Sequence, residues 1–115
     1  MPLNKKNKIN RPSEFDIVFK GGKAVKGSFL FIKFISRFDD QKRFGIIVSA
    51  GVSKKAVIRN KIKRTLTEFL RKNMSKIKEG KDTVIVLKNN LQKFDANSLT
   101  DDLAGVLITA GLTKE

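Results

Sequence analysis

The sequence predicts one α+β domain, a two-layer sandwich in which three helices pack on a sheet of about four strands. Three observations support this prediction. The 115 residues suffice for a single domain spanning 1–115, and 40% of them are hydrophobic, which allows a modest core. Short apolar runs of strand character occur between three segments whose apolar residues recur at helical spacing. Neither an internal repeat nor a low-complexity segment interrupts this order.

Charge is the property that most restricts function. The formal net charge is +14, from 25 Lys and Arg against 11 Asp and Glu. In a small chain this balance favours a nucleic acid as partner, with an anionic membrane surface as the second option. Cys, His, Trp and Tyr are all absent, so any stacking on bases must use the nine Phe. The chain therefore lacks His, the commonest acid–base group and metal ligand, and Cys, the thiol nucleophile.

The N-terminal segment, residues 1–10, is expected to form a basic, mobile arm. Its lysines, Lys5, Lys6 and Lys8, either only aid solubility or contact phosphates. No apolar run with a small-residue cleavage site follows the segment, and no part of the chain approaches the ~20 apolar residues of a membrane span. We therefore expect a cytoplasmic protein.

The first helix is short. Ser13 with Asp16 three residues later resembles a capping box, and Gly21-Gly22 ends the helix. Phe15 and Phe19 lie on one helical face with Val18, and two Phe at this spacing are most often core residues.

Three strands follow this helix. A short edge strand is predicted over 23–26, the strongest strand over Phe29–Ile35, and a third over 43–49 after a polar turn. Alternation makes both faces of the Phe29–Ile35 strand apolar, so both should be covered by protein or by a ligand.

A strongly basic helix is predicted after a loop at 49–53, and it should run to about Lys72. From Ser53 to Lys78 there are ten Lys or Arg and one acid, Glu68. Ser53 is the expected N-cap, and the free N–H groups of the first turn, beside Lys54 and Lys55, suit a phosphate. A merely solvated basic face is the alternative. The buried stripe comprises Ile58, Ile62, Leu66, Phe69 and Leu70.

The C-terminal part predicts a central strand over Thr83–Leu87, a loop to residue 97 and a last helix with Ser98 as its cap. An apolar stripe from Leu99 to Ala110, ending at Gly111, makes this helix structural. The acidic pairs at 39–40 and 101–102 are interpreted as loop and helix-start residues rather than metal ligands.

Two motifs resemble a known family. Arg43-x-Gly45-x-x-Val48-Ser49 followed by Ala56-Val57-x-Arg59-Asn60-x-x-Lys63-Arg64 resembles the signature of the bacterial ribonuclease P protein subunit, and Phe15-x-x-Val18-Phe19-x-x-Gly22 matches its N-terminal helix. The resemblance covers nearly the whole chain. It implies a ribosomal protein S5 domain 2-like fold, a left-handed βαβ crossover at the basic helix, and a cleft on the sheet face away from the helices.

The resemblance also implies a role. The chain would join ribonuclease P RNA, which itself removes the 5′ leader of precursor tRNA with Mg²⁺ held mainly by the RNA. The protein would bind the leader and promote substrate and Mg²⁺ binding, with no catalytic or metal-binding residue of its own and neither DNA nor membrane as partner. The expected RNA-binding residues lie at the start and along the exposed side of the basic helix: Lys54, Lys55, Arg59, Asn60, Lys61, Lys63, Arg64 and Arg71. The expected leader cleft comprises Arg11, Phe15, Phe19, Phe31 and Lys33.

The chain departs from the family pattern at three places. Ala50-Gly51 stands where a Lys pair is usual, Lys61 replaces an Arg, and Thr67 occupies a position that is commonly basic. A ribosomal-type or general RNA-binding chaperone protein is the alternative function, since it would share the charge and the basic helix. A cationic membrane-surface protein is a third class, which predicts binding to anionic vesicles.

Overall fold

The computed structural model describes residues 3–113 and contains three α-helices and four strands in the predicted order. The elements are α1 Pro12–Gly21, β1 Lys23–Lys26, β2 Leu30–Ser36, β3 Lys42–Ile47, α2 Ala56–Lys72, β4 Lys81–Leu87 and α3 Ala96–Thr109, with 3₁₀ turns at Lys5–Asn7 and Met74–Lys76. The predicted α+β class is confirmed.

The four strands form one mixed sheet in the order β1–β2–β4–β3. β4 pairs antiparallel with β2 and parallel with β3, so the predicted central position of the Thr83–Leu87 strand is confirmed. In the parallel ladder Arg43 lies opposite Asp82, and Gly45 lies opposite Val84. β3, α2 and β4 thus form the strand–helix–strand unit, whose left-handed crossover stays a prediction.

The main core lies between one face of the sheet and the helices α2 and α3. Ile32 and Ile85 are cross-strand partners and are both fully buried. They pack in one cluster with Leu66 of α2 and Leu103 of α3, as the two predicted apolar stripes require. Burial of these stripes is what holds two helices, one of them strongly basic, against the sheet.

The opposite face of the sheet is partly covered by α1. Val18 of α1 and Val84 of β4 are fully buried there, in a second cluster that includes Ile9. Successive side chains of a strand point to opposite faces, so the side chains of β2 on this face are Phe31, Lys33 and Ile35. Protein buries Leu30 and Ile32 on the other face of this strand but covers the α1 face only in part, so cover by a ligand on the α1 face stays a prediction.

The N-terminal segment differs from the expected free arm. Residues 3–10 lie along the exposed edge of β3, where the Ile9 N–H donates to the Phe44 carbonyl at 3.0 Å and Lys8 forms a parallel bridge with Phe44. Leu3 and Ile9 are both buried, Leu3 in the main core and Ile9 in the second cluster. The expectation is wrong for these residues because two apolar side chains anchor the segment and an open strand edge offers it backbone partners. Met1 and Pro2 lie outside the described residues.

The three predicted N-caps are also displaced. Glu14, not Asp16, closes the start of α1 by accepting from the Arg11 N–H at 3.1 Å. α2 begins after Lys55, and Ser53 only accepts a hydrogen bond from the Lys55 N–H at 3.3 Å. α3 is capped by Asp95, which accepts from the Asn97 N–H. Several polar side chains stand near each helix start, and tertiary packing selects which one is aligned with the free N–H groups.

Candidate nucleic-acid interface

The solvent side of α2 carries most of the predicted RNA-binding residues. Because Ile62, Leu66 and Leu70 are fully buried, the opposite side of the helix must face outward. We call the predicted set the basic face; it comprises Lys54, Lys55, Arg59, Asn60, Lys61, Lys63, Arg64 and Arg71. All of these are exposed except Arg59, which is half-buried.

Two arginines of the basic face are partly engaged by the protein itself. Arg59 donates from Nη1 to the carbonyl of Ser53 at 2.8 Å, which ties the helix to the loop before it. Arg71 forms an ion pair with Glu68, and this hydrogen bond lowers the pKa of the Glu68 carboxyl to about 2. Lys61, Lys63 and Arg64 are exposed in the middle of the helix and are the cations best placed for phosphates.

Four of the five predicted cleft residues lie on the face of the sheet that α1 partly covers. Phe15 and Phe19 are half-buried on the inner side of α1. Lys33 donates from Nζ to the Phe19 carbonyl at 3.1 Å and stands 5.5 Å from the centroid of the Phe19 ring. Phe31 shares this face, and Arg11 is exposed immediately before α1. We call these five residues the aromatic cleft.

Gly45 determines how closely α1 approaches the sheet. A Cβ at this position would lie 2.6 Å from Cζ of the Phe15 ring, far inside van der Waals contact. The Phe15 ring therefore lies directly on the backbone of β3, which only glycine permits here.

Gly45→Ala is expected to destabilise the fold by about 1–3 kcal/mol, because the rigid strand forces the Phe15 ring out of its position. Gly105→Ala is the matched control, since nothing lies within 4 Å of its added Cβ on the exposed side of α3. Gly105→Ala should raise the free energy of unfolding by roughly 0.5–1 kcal/mol, because Ala is favoured over Gly inside a helix by that amount. Urea unfolding of both variants measures the contrast; a Gly45→Ala protein as stable as the parent would contradict the close contact.

A buried ion-pair network, which the sequence did not predict, fixes the N-terminal end of α1. Asp82 is almost fully buried and accepts from Nε of Arg43 at 2.9 Å, from Nη2 of Arg43 at 2.8 Å, and from Nη1 of Arg37 at 3.0 Å. Arg43 also pairs with Glu14 of α1 at 2.6 Å, and this bond holds the pKa of Glu14 below its usual range. The guanidinium of Arg37 lowers the pKa of Asp39 to about 2. In the sequence, the one indication of this network was the position of Asp82 directly before the apolar run from Thr83 to Leu87.

The aromatic cleft and the basic face meet at the edge of β3. A cavity of about 310 Å³, which we call the edge cavity, lies there. Its walls include Lys8 and Ile9 from the N-terminal segment, Phe15 from α1, Gly45 from β3, and Lys63 and Thr67 from α2. The sequence left the role of Lys8 open between solubility and phosphate contact, and it indicated Thr67 only as a departure from the family pattern. Their involvement depends on the docking of residues 3–10, which joins parts of the chain that are distant in sequence.

The carboxylates that the structure describes hold parts of the fold together. Within residues 3–113, no three Asp or Glu side chains come together in a group able to hold a metal ion. Asp102 instead accepts from the backbone N–H groups of Ser28, Phe29 and Leu30, at 2.8, 2.8 and 3.1 Å, and so ties α3 to the β1–β2 turn. No helix in this described range is both long and apolar enough to cross a membrane.

An α+β fold with two half-buried Phe residues on one face of the sheet and an outward-facing basic helix on the other suits an RNA-binding protein. Comparison with known proteins specifies which kind. The Ribonuclease P family model matches residues 3–111. The ribonuclease P protein component of Syntrophomonas wolfei is 34% identical over 110 residues, covering 96% of this chain and 92% of the relative. The chain belongs to the ribonuclease P protein family.

Solved structures of the same family share the fold. The RNase P protein of Staphylococcus aureus superimposes with a TM-score of 0.87 at 26% identity, covering 96% of this chain and 100% of the other. The Thermotoga maritima RNase P protein gives 0.78 at 28% identity, covering 88% and 94%. The protein is thus the protein subunit of ribonuclease P, acts in tRNA processing as part of that ribonuclease complex, and has ribonuclease P RNA as its partner.

Proposed function

We propose that the protein binds the 5′ leader of precursor tRNA in the aromatic cleft while its basic face holds ribonuclease P RNA, and that this RNA cleaves the phosphodiester bond. The two surfaces are lined by groups of different chemistry. Phe faces suit unpaired bases, which stack on aromatic side chains, whereas exposed Lys and Arg suit the phosphates of a folded RNA.

The observation that carries the proposal is the position of the half-buried Phe15 and Phe19 above a sheet face that is only partly covered. Had α1 closed over this face completely, both rings would be core residues. Instead both residues remain partly accessible, and the ammonium group of Lys33 lies 5.5 Å from the centroid of the Phe19 ring. Proteins that bind single-stranded RNA combine aromatic surface with positive charge in this way.

We propose that Mg²⁺ and the chemical step belong to the RNA. The chain has no His, Cys or Tyr to serve as base or nucleophile. Two of its carboxylates, Asp82 and Asp102, are engaged in holding the fold together. Divalent ions bound by RNA phosphates can activate water and stabilise the leaving oxygen without a protein ligand. The protein would help the RNA retain substrate and Mg²⁺ in the cytoplasm, with no role for DNA.

Reconstitution tests this function. The purified chain is mixed with a bacterial ribonuclease P RNA at low Mg²⁺, where the RNA alone is slow, and 5′ processing of a precursor tRNA is followed. Restored cleavage at the mature 5′ end is the expected result. Binding to several RNA types without any rescue would instead favour a general RNA-binding or chaperone role.

Phe19→Ala tests the aromatic cleft. If an unpaired leader base stacks on this ring, the loss should be about 1–3 kcal/mol for precursor tRNA, with little loss for mature tRNA. Phe38→Ala is the matched control, because Phe38 is fully exposed in the β2–β3 turn. Affinities of the reconstituted enzyme for the two RNAs give the measurement. Equal losses for both RNAs, with a lowered thermal midpoint, would make Phe19 a core residue and not a leader contact.

A further inference from the structure

The edge cavity has a defined position because backbone contacts hold its N-terminal wall. The Lys8–Phe44 bridge and the bond from the Ile9 N–H to the Phe44 carbonyl add residues 8–9 to the edge of β3. Asn7 reinforces this by donating from Nδ2 to the Lys42 carbonyl at 2.7 Å. Lys8 is therefore placed at the cavity by strand pairing, and its side chain is half-buried there.

The lining of the cavity combines positive charge with apolar surface. Two lysines line it, Lys8 from the N-terminal segment and Lys63 from α2, and no Asp or Glu is among the lining residues that the structure describes. Ile9 and Phe15 supply apolar surface, and Thr67 supplies a hydroxyl. A ligand that fits this lining has one anionic part and one apolar, flat part.

The size and position of the cavity restrict the ligand further. About 310 Å³ lies at the lower end of the ~300–1,000 Å³ usual for small-molecule sites, so it suits a single nucleotide and not a duplex. Phe15 belongs to the aromatic cleft and Lys63 to the basic face, so a strand of RNA passing between these surfaces crosses the cavity. That an RNA strand passes between these two surfaces rests on the function proposed above.

We propose that the edge cavity seats one nucleotide of the single-stranded 5′ leader, with its phosphate between Lys8 and Lys63 and its base or sugar against Ile9 and Phe15. The N-terminal segment, through Lys8, is then part of the leader-binding site.

The test uses the full-length free protein and a short single-stranded RNA, so that no contact to ribonuclease P RNA contributes. Lys8→Ala should remove one phosphate contact to the single strand. The slope of log affinity against log salt should then fall by about 0.7, and the affinity near 0.1 M salt should fall about fivefold. Lys8→Arg should restore both. Lys5→Ala is the matched control, because Lys5 is exposed in the same segment and does not line the cavity; its effect should stay below twofold.

A double-mutant cycle locates the phosphate. If Lys8 and Lys63 contact the same phosphate, the loss in the Lys8→Ala/Lys63→Ala variant should differ from the product of the two single losses by more than twofold. Independent losses, or equal losses for Lys8→Ala and Lys5→Ala, would overturn the proposal. If Phe19→Ala weakens leader binding while Lys8→Ala does not, the edge cavity alone is wrong; if neither does, the proposed leader-binding function fails as well.

Discussion

Replacing Asp82 with alanine is expected to lower the free energy of unfolding by about 3 kcal/mol, the low end of the range for breaking a buried ion pair. The side chains of Arg43 and Arg37 are only 13% and 23% exposed, so both would lose their buried anionic partner. Arg37 keeps Asp39, and Arg43 keeps Glu14, which is why we do not expect a larger loss. Urea unfolding followed by circular dichroism is the measurement.

Asp40→Ala is the control for Asp82→Ala. Asp40 is exposed in the turn between β2 and β3, so its removal changes the net charge equally without opening the buried network. Its effect should stay within about 0.5 kcal/mol, as for most surface substitutions. If the two variants lost the same stability, general charge balance and not the buried network would account for the effect.

Replacing both Lys61 and Arg64 with alanine is expected to reduce affinity for ribonuclease P RNA on the order of 50- to 100-fold at about 0.1 M salt. Both side chains are exposed in the middle of α2, so each is available for a phosphate. If each neutralises one phosphate, the slope of log affinity against log salt should fall by about 1.8. Folding should be preserved, because the buried stripe of α2 is untouched. A salt series of binding titrations gives both quantities.

The matched control removes Lys76 and Lys78, which lie after α2 and are also exposed. It lowers the net charge by the same amount but leaves the basic face unchanged, and its slope should stay close to that of the parent. If both double variants flattened the slope equally, the RNA would be responding to total charge, and the basic face would not be a defined interface.

Much of the fold is predictable because it depends on local periodicity. The stripe from Ile58 to Leu70 requires a helix with one buried side, and the run from Thr83 to Leu87 requires a strand buried on both faces. These patterns survive in the structure because burial of apolar side chains dominates the energy of each element. The helix starts were less predictable. Ser13, Ser53 and Ser98 are all suitable caps, yet the N-cap positions are occupied by Arg11, Lys55 and Asp95.

The sequence by itself determined which chemistry this protein carries: exposed cations on α2, Phe residues in place of other aromatics, and motifs of the ribonuclease P protein family. Only the tertiary structure decided where those groups meet. It placed Phe31 and Lys33 on the α1 face, added Lys8 to the edge of β3 beside Lys63, and joined Asp82 to Arg37 and Arg43. Periodicity is a property of neighbours in sequence, whereas strand order, register and edge docking depend on contacts between residues tens of positions apart.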